Sequence, residues 1–198
     1  DPCLVLQFEY GNERFLPNSE RKIAVTLQKE NGTFKFSKTV RDVEWENQVI
    51  LHINEIGLTE KNGYFAINGM QLLEQKNALY FFVNWLNENR PLLAKKEIAV
   101  VQEKLDKKFY TGSQSLEIQT QTKGDWFDVY AVVHFGEFSI PFIKLKKFIL
   151  NGIREFELPN GEIAVLPEEW FAQYGGMLPF GKQEGDSLQF EKHHFPLL

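Results

Sequence analysis

Five Asn-Gly pairs divide this sequence into short segments, and they constrain its fold more than any other feature. The pairs stand at positions 31–32, 62–63, 68–69, 151–152 and 160–161. Asn and Gly both tolerate positive φ, which the two-residue turns of β-hairpins require. The pairs therefore favour a chain with several antiparallel hairpins.

Alternating apolar residues flank the first pair and predict a β-hairpin there. The residues that share a strand face are Ile23, Val25 and Leu27 before the turn, and Phe34 and Phe36 after it. An earlier strand is predicted over residues 4–10, so that the chain opens with a small antiparallel meander.

The second half of the chain predicts a longer antiparallel sheet. Apolar and polar residues alternate over 116–122, the chain turns at 123–125, and alternation resumes over 127–135. Because the second of these strands is more apolar on its outer face, we expect it to be central in the sheet. Another hairpin is predicted around Asn160-Gly161.

Helical spacing of apolar residues predicts three to four helices. They are expected at 46–58, at 70–88 with Pro91 as the stop, from Pro141 to Asn151-Gly152, and after Pro167. A short strand is expected at 98–101, and the polar residues after Gly181 predict a link to a following segment. The expected fold is α+β, mainly antiparallel β-sheet with hairpins, in two units (1–93 and 94–198) that together can form one compact domain.

Composition is that of a soluble globular protein. Of 198 residues, 43% are hydrophobic and 25% charged, and no run of about 18 apolar residues is present. No signal-peptide pattern is visible, so we expect a cytoplasmic protein without a membrane partner. The single cysteine, Cys3, excludes an internal disulfide framework. The start at Asp1 and the apolar end at 195–198 predict a piece of a longer polypeptide.

Charge is distributed unevenly and suggests where nucleic acid would bind. Residues 148–198 hold 3 basic and 8 acidic residues and so carry the whole net charge of −5, whereas residues 1–147 hold 19 of each. Residues 21–41 hold six basic residues and one acid, Glu30. Such clusters suit phosphate groups, although charge is also typical of any solvated face. The candidate nucleic-acid contacts are Arg21, Lys22, Lys35, Lys38, Arg41, Lys144, Lys146 and Lys147.

The sequence contains no motif for phosphate-loop nucleotide binding, zinc hydrolysis or a serine nucleophile elbow. Four scattered histidines, two of them the adjacent His193 and His194, favour no metal site. We therefore predict no catalytic residue, no cofactor and no metal for this chain.

One acidic cluster leaves two interpretations open. Asp125 and Asp128 flank Trp126 and Phe127, and Glu137 follows. Paired carboxylates beside aromatic residues are typical of glycoside hydrolases, which hold the two groups about 5–10 Å apart. In the alternative, Asp125 accepts hydrogen bonds in a turn and the two aromatic residues anchor a strand in the core.

Motifs in the second half resemble a known family. Residues 124–128 (Gly-Asp-Trp-Phe-Asp) precede an alternating strand that ends in Phe135-Gly136. Residues 153–162 (Ile-Arg-Glu-Phe-Glu-Leu-Pro-Asn-Gly-Glu) lead to 166–170 (Leu-Pro-Glu-Glu-Trp) and Tyr174. In this order, over residues 113–180, they resemble the helicase-associated region of bacterial SWI/SNF-family helicases, which lies N-terminal to the ATPase motor.

This resemblance implies a non-catalytic accessory domain whose parent protein is an ATP-dependent helicase. The implied partners are the helicase motor of the same polypeptide and duplex DNA. The resemblance carries over no catalytic residue, and Asp125, Trp126, Phe127 and Trp170 are expected to be fold signatures. A stand-alone protein-interaction scaffold is the alternative that the sequence leaves open.

Overall fold

A computed structural model of the chain describes residues 2–103 and 107–191. These residues form four α-helices and thirteen β-strands, and every pairing between the strands is antiparallel. The α+β architecture predicted from the sequence is confirmed. His193, His194 and the apolar end at 195–198 lie outside the described residues.

The elements have the following bounds. The helices are α1 (Val43–Glu55), α2 (Gln75–Lys95), α3 (Lys146–Leu150) and α4 (Glu168–Tyr174). The strands are β1 (Phe8–Tyr10), β2 (Glu13–Phe15), β3 (Ile23–Glu30), β4 (Thr33–Val40), β5 (Leu58–Lys61), β6 (Tyr64–Ile67), β7 (Gln114–Lys123), β8 (Trp126–Phe135), β9 (Phe138–Pro141), β10 (Glu155–Glu157), β11 (Ile163–Val165), β12 (Lys182–Glu184) and β13 (Ser187–Glu191).

The chain divides into two compact units, Asp1–Phe82 and Val83–Leu198, with the division inside α2. We call them the first and the second unit. Among the described residues, no helix combines the length and the apolar content that crossing a membrane requires.

The first unit consists of three separate hairpins, β1–β2, β3–β4 and β5–β6, together with α1. Asn-Gly pairs form two of the turns: Asn31 and Gly32 have φ of 50° and 80°, and Asn62 and Gly63 have 55° and 81°. This is the turn geometry that the pairs predicted.

The opening strand is shorter than predicted, because only Phe8–Tyr10 is paired as a strand. No strand of one hairpin pairs with a strand of another, so the predicted meander is wrong.

The second unit is built on a five-stranded sheet with β8 at its centre, as predicted. Strand β8 pairs with β7 along one side, and with β13 and β9 along the other. Helices α3 and α4 and the short hairpin β10–β11 complete this unit. Its core residues are Phe127, Val129, Ala131, Val133, Phe135, Ile140, Phe142, Leu145, Ile149, Leu158, Ala164, Leu166, Tyr174, Met177, Leu178, Leu188 and Phe190.

Pro91 does not end its helix, which corrects the sequence prediction. Helix α2 continues to Lys95, and Leu93 beyond the proline is buried. A proline inside a helix costs about 3 kcal/mol, and burying a leucine contributes about 1.5–3 kcal/mol, so packing largely offsets the lost hydrogen bond. The predicted start at Met70 is also wrong, since Met70–Leu72 is a 3-10 turn.

Two further expectations about strands are wrong. Residues 98–101 form no strand. The polar segment after Gly181 is no link, because β12 and β13 form a hairpin that extends the sheet. The buried side chains of Leu188 and Phe190 belong to the core of the second unit. These two residues alternate with polar residues, as in a half-buried strand, but the polar composition of the segment as a whole predicted a link.

Candidate nucleic-acid interface

The β3–β4 hairpin carries the basic cluster predicted from the sequence. Its two strands pair over eight residues each, from Ile23 opposite Val40 to Glu30 opposite Thr33. Directly opposite residues of an antiparallel pair lie on the same face. The register therefore divides the hairpin side chains into two faces with different chemistry.

One of these, which we call the outer face, is apolar and exposed. It consists of Ile23, Val25, Leu27, Lys29, Phe34, Phe36, Lys38 and Val40. Its apolar side chains are all exposed, with Val25 at 61% and Phe36 at 71%. The inner face carries Ala24, which is buried, and polar neighbours such as Thr26 and Lys35. A hydrophobic stripe that normally faces a core here faces solvent.

Three of the predicted contacts on this hairpin are open to solvent. Lys22, Lys35 and Lys38 are exposed and form no ion pair among the described residues. Arg21 is exposed but partly engaged, because its Nη2 lies 3.3 Å from Oε2 of Glu13 and its Nε donates to the carbonyl of Ile23. These three lysines are the predicted contacts that remain available for phosphate groups.

Arg41 is not on this surface, which corrects its assignment as a nucleic-acid contact. Its side chain is only 3% exposed and forms a bidentate ion pair with Glu46. Its remaining N–H groups donate to the backbone carbonyls of Leu16, Pro17, Ser19 and Arg21. Because no guanidinium donor faces solvent, Arg41 cannot bind a ligand and instead stabilises the base of the hairpin.

A tyrosine completes the network around this ion pair. The hydroxyl of Tyr10 donates to Oε1 of Glu46 at 2.7 Å. Burial on its own would raise the pKa of Glu46, but hydrogen bonds from Arg41 and Tyr10 hold that pKa below its usual value. Burial, together with the hydrogen bond to Glu46, raises the pKa of Tyr10. The network thus favours a charged carboxylate beneath the hairpin.

The second basic cluster belongs to the second unit and is only partly available. Lys144 and Lys147 are exposed. The ammonium of Lys146 instead donates to the carbonyl of Gly181 at 2.7 Å, which ties α3 to the segment before β12. Two of the three predicted lysines therefore face solvent, and one has a structural partner.

Three of the four expected fold signatures lie in or beside the core of the second unit, whereas Asp125 is exposed in the turn before β8. Phe127 stacks on Phe190, with ring centroids 5.5 Å apart. Trp170 packs edge-on against Phe142 at 6.0 Å. Trp126 is half-buried beneath the Lys182 ammonium, which lies 4.9 Å from the ring centroid. These contacts anchor strands and helices to one another.

The three carboxylates considered for glycoside hydrolysis are distributed along β8 and the turns at its two ends. Asp125 and Glu137 lie in turns at opposite ends of the ten-residue strand β8, which spans about 30 Å at 3.3 Å per residue. Asp128 is buried and accepts a hydrogen bond from Nε2 of Gln189. A glycosidase pair needs a separation of about 5–10 Å, which Asp125 and Glu137 do not have.

A cleft of about 680 Å³ lies elsewhere in the second unit. Its polar lining includes Asn87, Arg90, Lys108, Thr111 and Glu162. Lys108 lies 2.6 Å from Glu162, and this contact lowers the pKa of that carboxyl. Arg90 donates to Oγ1 of Thr111 at 2.9 Å. Its charged lining residues are two cations, Arg90 and Lys108, and one carboxylate, Glu162, and none of the predicted site residues lines it.

The sequence did not predict that the outer face is exposed to solvent. Lys29 was not among the candidate contacts, yet its ammonium lies 5.5 Å from the ring centroid of Phe34 on that face. The available signal was the Phe-x-Phe pattern at 34–36 with lysines interleaved. The pattern showed that these side chains share a face but not that the face remains uncovered.

Comparison of the chain with protein-family models, with curated proteins and with solved structures gave no match. Among the described residues, no three His, Cys, Asp or Glu side chains are grouped so as to hold a metal ion.

Proposed function

We propose that this chain is a non-catalytic accessory module of a bacterial SWI/SNF-type ATP-dependent helicase, and that its β3–β4 hairpin contacts nucleic acid. The assignment to a helicase is supported by the ordered motifs over residues 113–180. In this proposal the module packs on or regulates the motor of the same polypeptide, and the hairpin adds a contact to duplex DNA.

The single observation that carries the nucleic-acid contact is a set of four lysines on one hairpin. Lys22, Lys29, Lys35 and Lys38 form no ion pair with any acidic side chain that the structure describes. Lysine side chains that neutralise phosphates release condensed counterions, which is the main source of affinity for DNA. An unpaired lysine contributes fully to that release because it has no competing carboxylate.

The acidic segment of the second unit suits this role less well. Its exposed carboxylates repel phosphates and favour a protein partner or solvent instead. They belong to Glu157, Glu168, Glu169, Glu184, Asp186 and Glu191. The hairpin is therefore the better site for nucleic acid.

The test measures fluorescence anisotropy of a labelled 20-base-pair duplex at 50 and 200 mM salt. The hairpin variant is Lys22→Gln, Lys35→Gln and Lys38→Gln. A control variant removes the same charge from exposed lysines elsewhere, at Lys61, Lys76 and Lys96. With a slope of about −0.9 per phosphate contact, three contacts make the wild-type affinity fall about 40-fold more over this salt range than the hairpin variant's.

The control variant should retain the wild-type salt dependence. No duplex binding by the wild-type chain at 50 mM salt would refute the proposed contact with duplex DNA. Equal losses in the two variants would assign the binding to overall charge instead of the hairpin. If the chain binds no nucleic acid but its deletion alters the ATPase rate of its parent, the protein-scaffold alternative is correct.

A further inference from the structure

The outer face of the hairpin exposes a row of apolar side chains to solvent. Six large apolar side chains on it are between 44% and 71% exposed. They belong to Ile23, Val25, Leu27, Phe34, Phe36 and Val40. Contiguous exposed apolar surface of this kind marks an interaction site. The lysines on this face indicate that its partner carries negative charge.

We propose that the outer face holds unpaired bases of a single-stranded nucleic acid, stacked on Phe34 and Phe36. This inference rests on the nucleic-acid contact proposed above and adds single strands to the forms of nucleic acid that the same hairpin binds. The two rings lie two residues apart on β4, which is about 6.6–6.8 Å along a strand. They are thus about twice as far apart as bases stacked at 3.4 Å in a duplex.

That spacing discriminates between single strands and duplexes. In a duplex, both faces of each base are covered by its neighbours, so a phenyl ring finds no free base to stack on. In an extended single strand, successive bases are free to lie on successive aromatic side chains. Between these two forms of nucleic acid, the exposed rings can therefore stack only on the unpaired bases of a single strand. The lysines contact the phosphates of either form.

The charges of the outer face suit the backbone of such a strand. Lys29 lies opposite Phe34, and Lys38 follows Phe36 by two residues on β4. One cation thus lies beside Phe34 and another lies beyond Phe36, and the outer face carries no carboxylate. Base-stacking aromatics between phosphate-binding cations are typical of single-strand binding surfaces. A purely apolar partner would leave both ammonium groups desolvated without a counter-charge.

The test compares affinities for a labelled 15-nucleotide oligo-dT and for a 15-base-pair duplex in the full chain. The variant is Phe34→Leu with Phe36→Leu, which removes both rings but keeps the face apolar. Each lost stack costs 5- to 150-fold, so affinity for oligo-dT should fall about 25-fold or more while duplex affinity is unchanged. The control is Tyr64→Leu with Phe81→Leu, two exposed rings elsewhere in the first unit, and it should retain wild-type affinity.

The outcomes separate this inference from the proposed function. If the lysine variant weakens binding but the Phe34 and Phe36 variant does not, the hairpin binds phosphates and the stacking inference is wrong. If neither oligo-dT nor duplex binds at 50 mM salt, both are wrong. Sedimentation that shows a dimer lost in the Phe34 and Phe36 variant would assign the outer face to a second copy of the chain. Ring-dependent binding to phosphatidylserine vesicles without oligo-dT binding would assign it to a membrane. Either result overturns the inference.

Discussion

Glu46→Gln should destabilise the first unit far more than an ordinary loss of one charge. The substitution keeps the shape of the side chain but leaves the Arg41 guanidinium, 3% exposed, without its counter-ion. Removing one partner of a buried ion pair costs about 3–5 kcal/mol. At a typical urea m-value of about 2 kcal/mol per molar, the unfolding midpoint should fall by about 1.5–2.5 M.

The matched control is an ion pair of the same unit that lies in solvent. Arg14 and Glu9 are 65% and 60% exposed, with their charged atoms 2.8 Å apart. Glu9→Gln should cost about 0.2–1 kcal/mol. Urea titration followed by circular dichroism measures both variants, and hydrogen exchange of residues 16–46 locates the loss. Equal costs for Glu46→Gln and Glu9→Gln would refute the reasoning that burial sets the strength of this pair.

The pH dependence gives the same prediction a second readout. The folded-state pKa of Glu46 is lowered, so the stability it contributes is complete above the unfolded pKa of about 4.3. That contribution is lost as pH falls through the folded pKa, where the carboxylate becomes protonated. The stability difference between wild type and Glu46→Gln should therefore be largest near pH 7 and shrink below about pH 4. A difference that stays constant down to pH 2 would exclude ionisation of Glu46 as its source.

Two further predictions concern the turn of the hairpin and the core of the second unit. Gly32→Ala should cost about 1–2 kcal/mol, because Gly32 has φ of 80°; Gly176→Ala, whose added Cβ meets nothing within 4 Å and whose φ is not positive, should be near neutral in the same urea titration. Phe190→Ala should cost about 3–5 kcal/mol by calorimetry, since Phe190 is fully buried on Phe127. The exposed Ile118→Ala should cost much less, and a small effect at Phe190 would show that β13 is dispensable to the sheet.

The sequence predicted what depends on short-range chemistry. Asn31-Gly32 and Asn62-Gly63 form hairpin turns because their residues tolerate positive φ whatever surrounds them. Alternation of apolar residues over 127–135 predicted β8. The additional apolar residues on its other face predicted its central place, because a strand in the middle of a sheet is often buried on both faces. These predictions were correct because the turn and the strand depend mainly on neighbouring residues.

What the sequence did not predict depends on contacts between distant residues. Arg41 looked like one more surface cation until Glu46 and four backbone carbonyls proved to surround it. Helix α2 passes Pro91 because burial beyond it, at Leu93, offsets the missing donor. The exposure of Phe34 and Phe36 depends on whether another element packs on that face of the hairpin. In each case the outcome depends on burial or contacts in the folded chain, which the local sequence pattern does not specify.

The place of β13 in the sheet has a consequence for the order in which the second unit assembles during synthesis. Strands β7 and β8 are neighbours in the chain and pair as soon as both have been made. The other side of β8 at Val129 waits for Leu188, which follows about 3–12 s later at a translation rate of about 5–20 residues per second. Through that interval the strand presents an open, apolar edge, the kind that pairs with other unfinished chains. Completion of this unit therefore depends on the arrival of its last hairpin rather than on the speed of the early one.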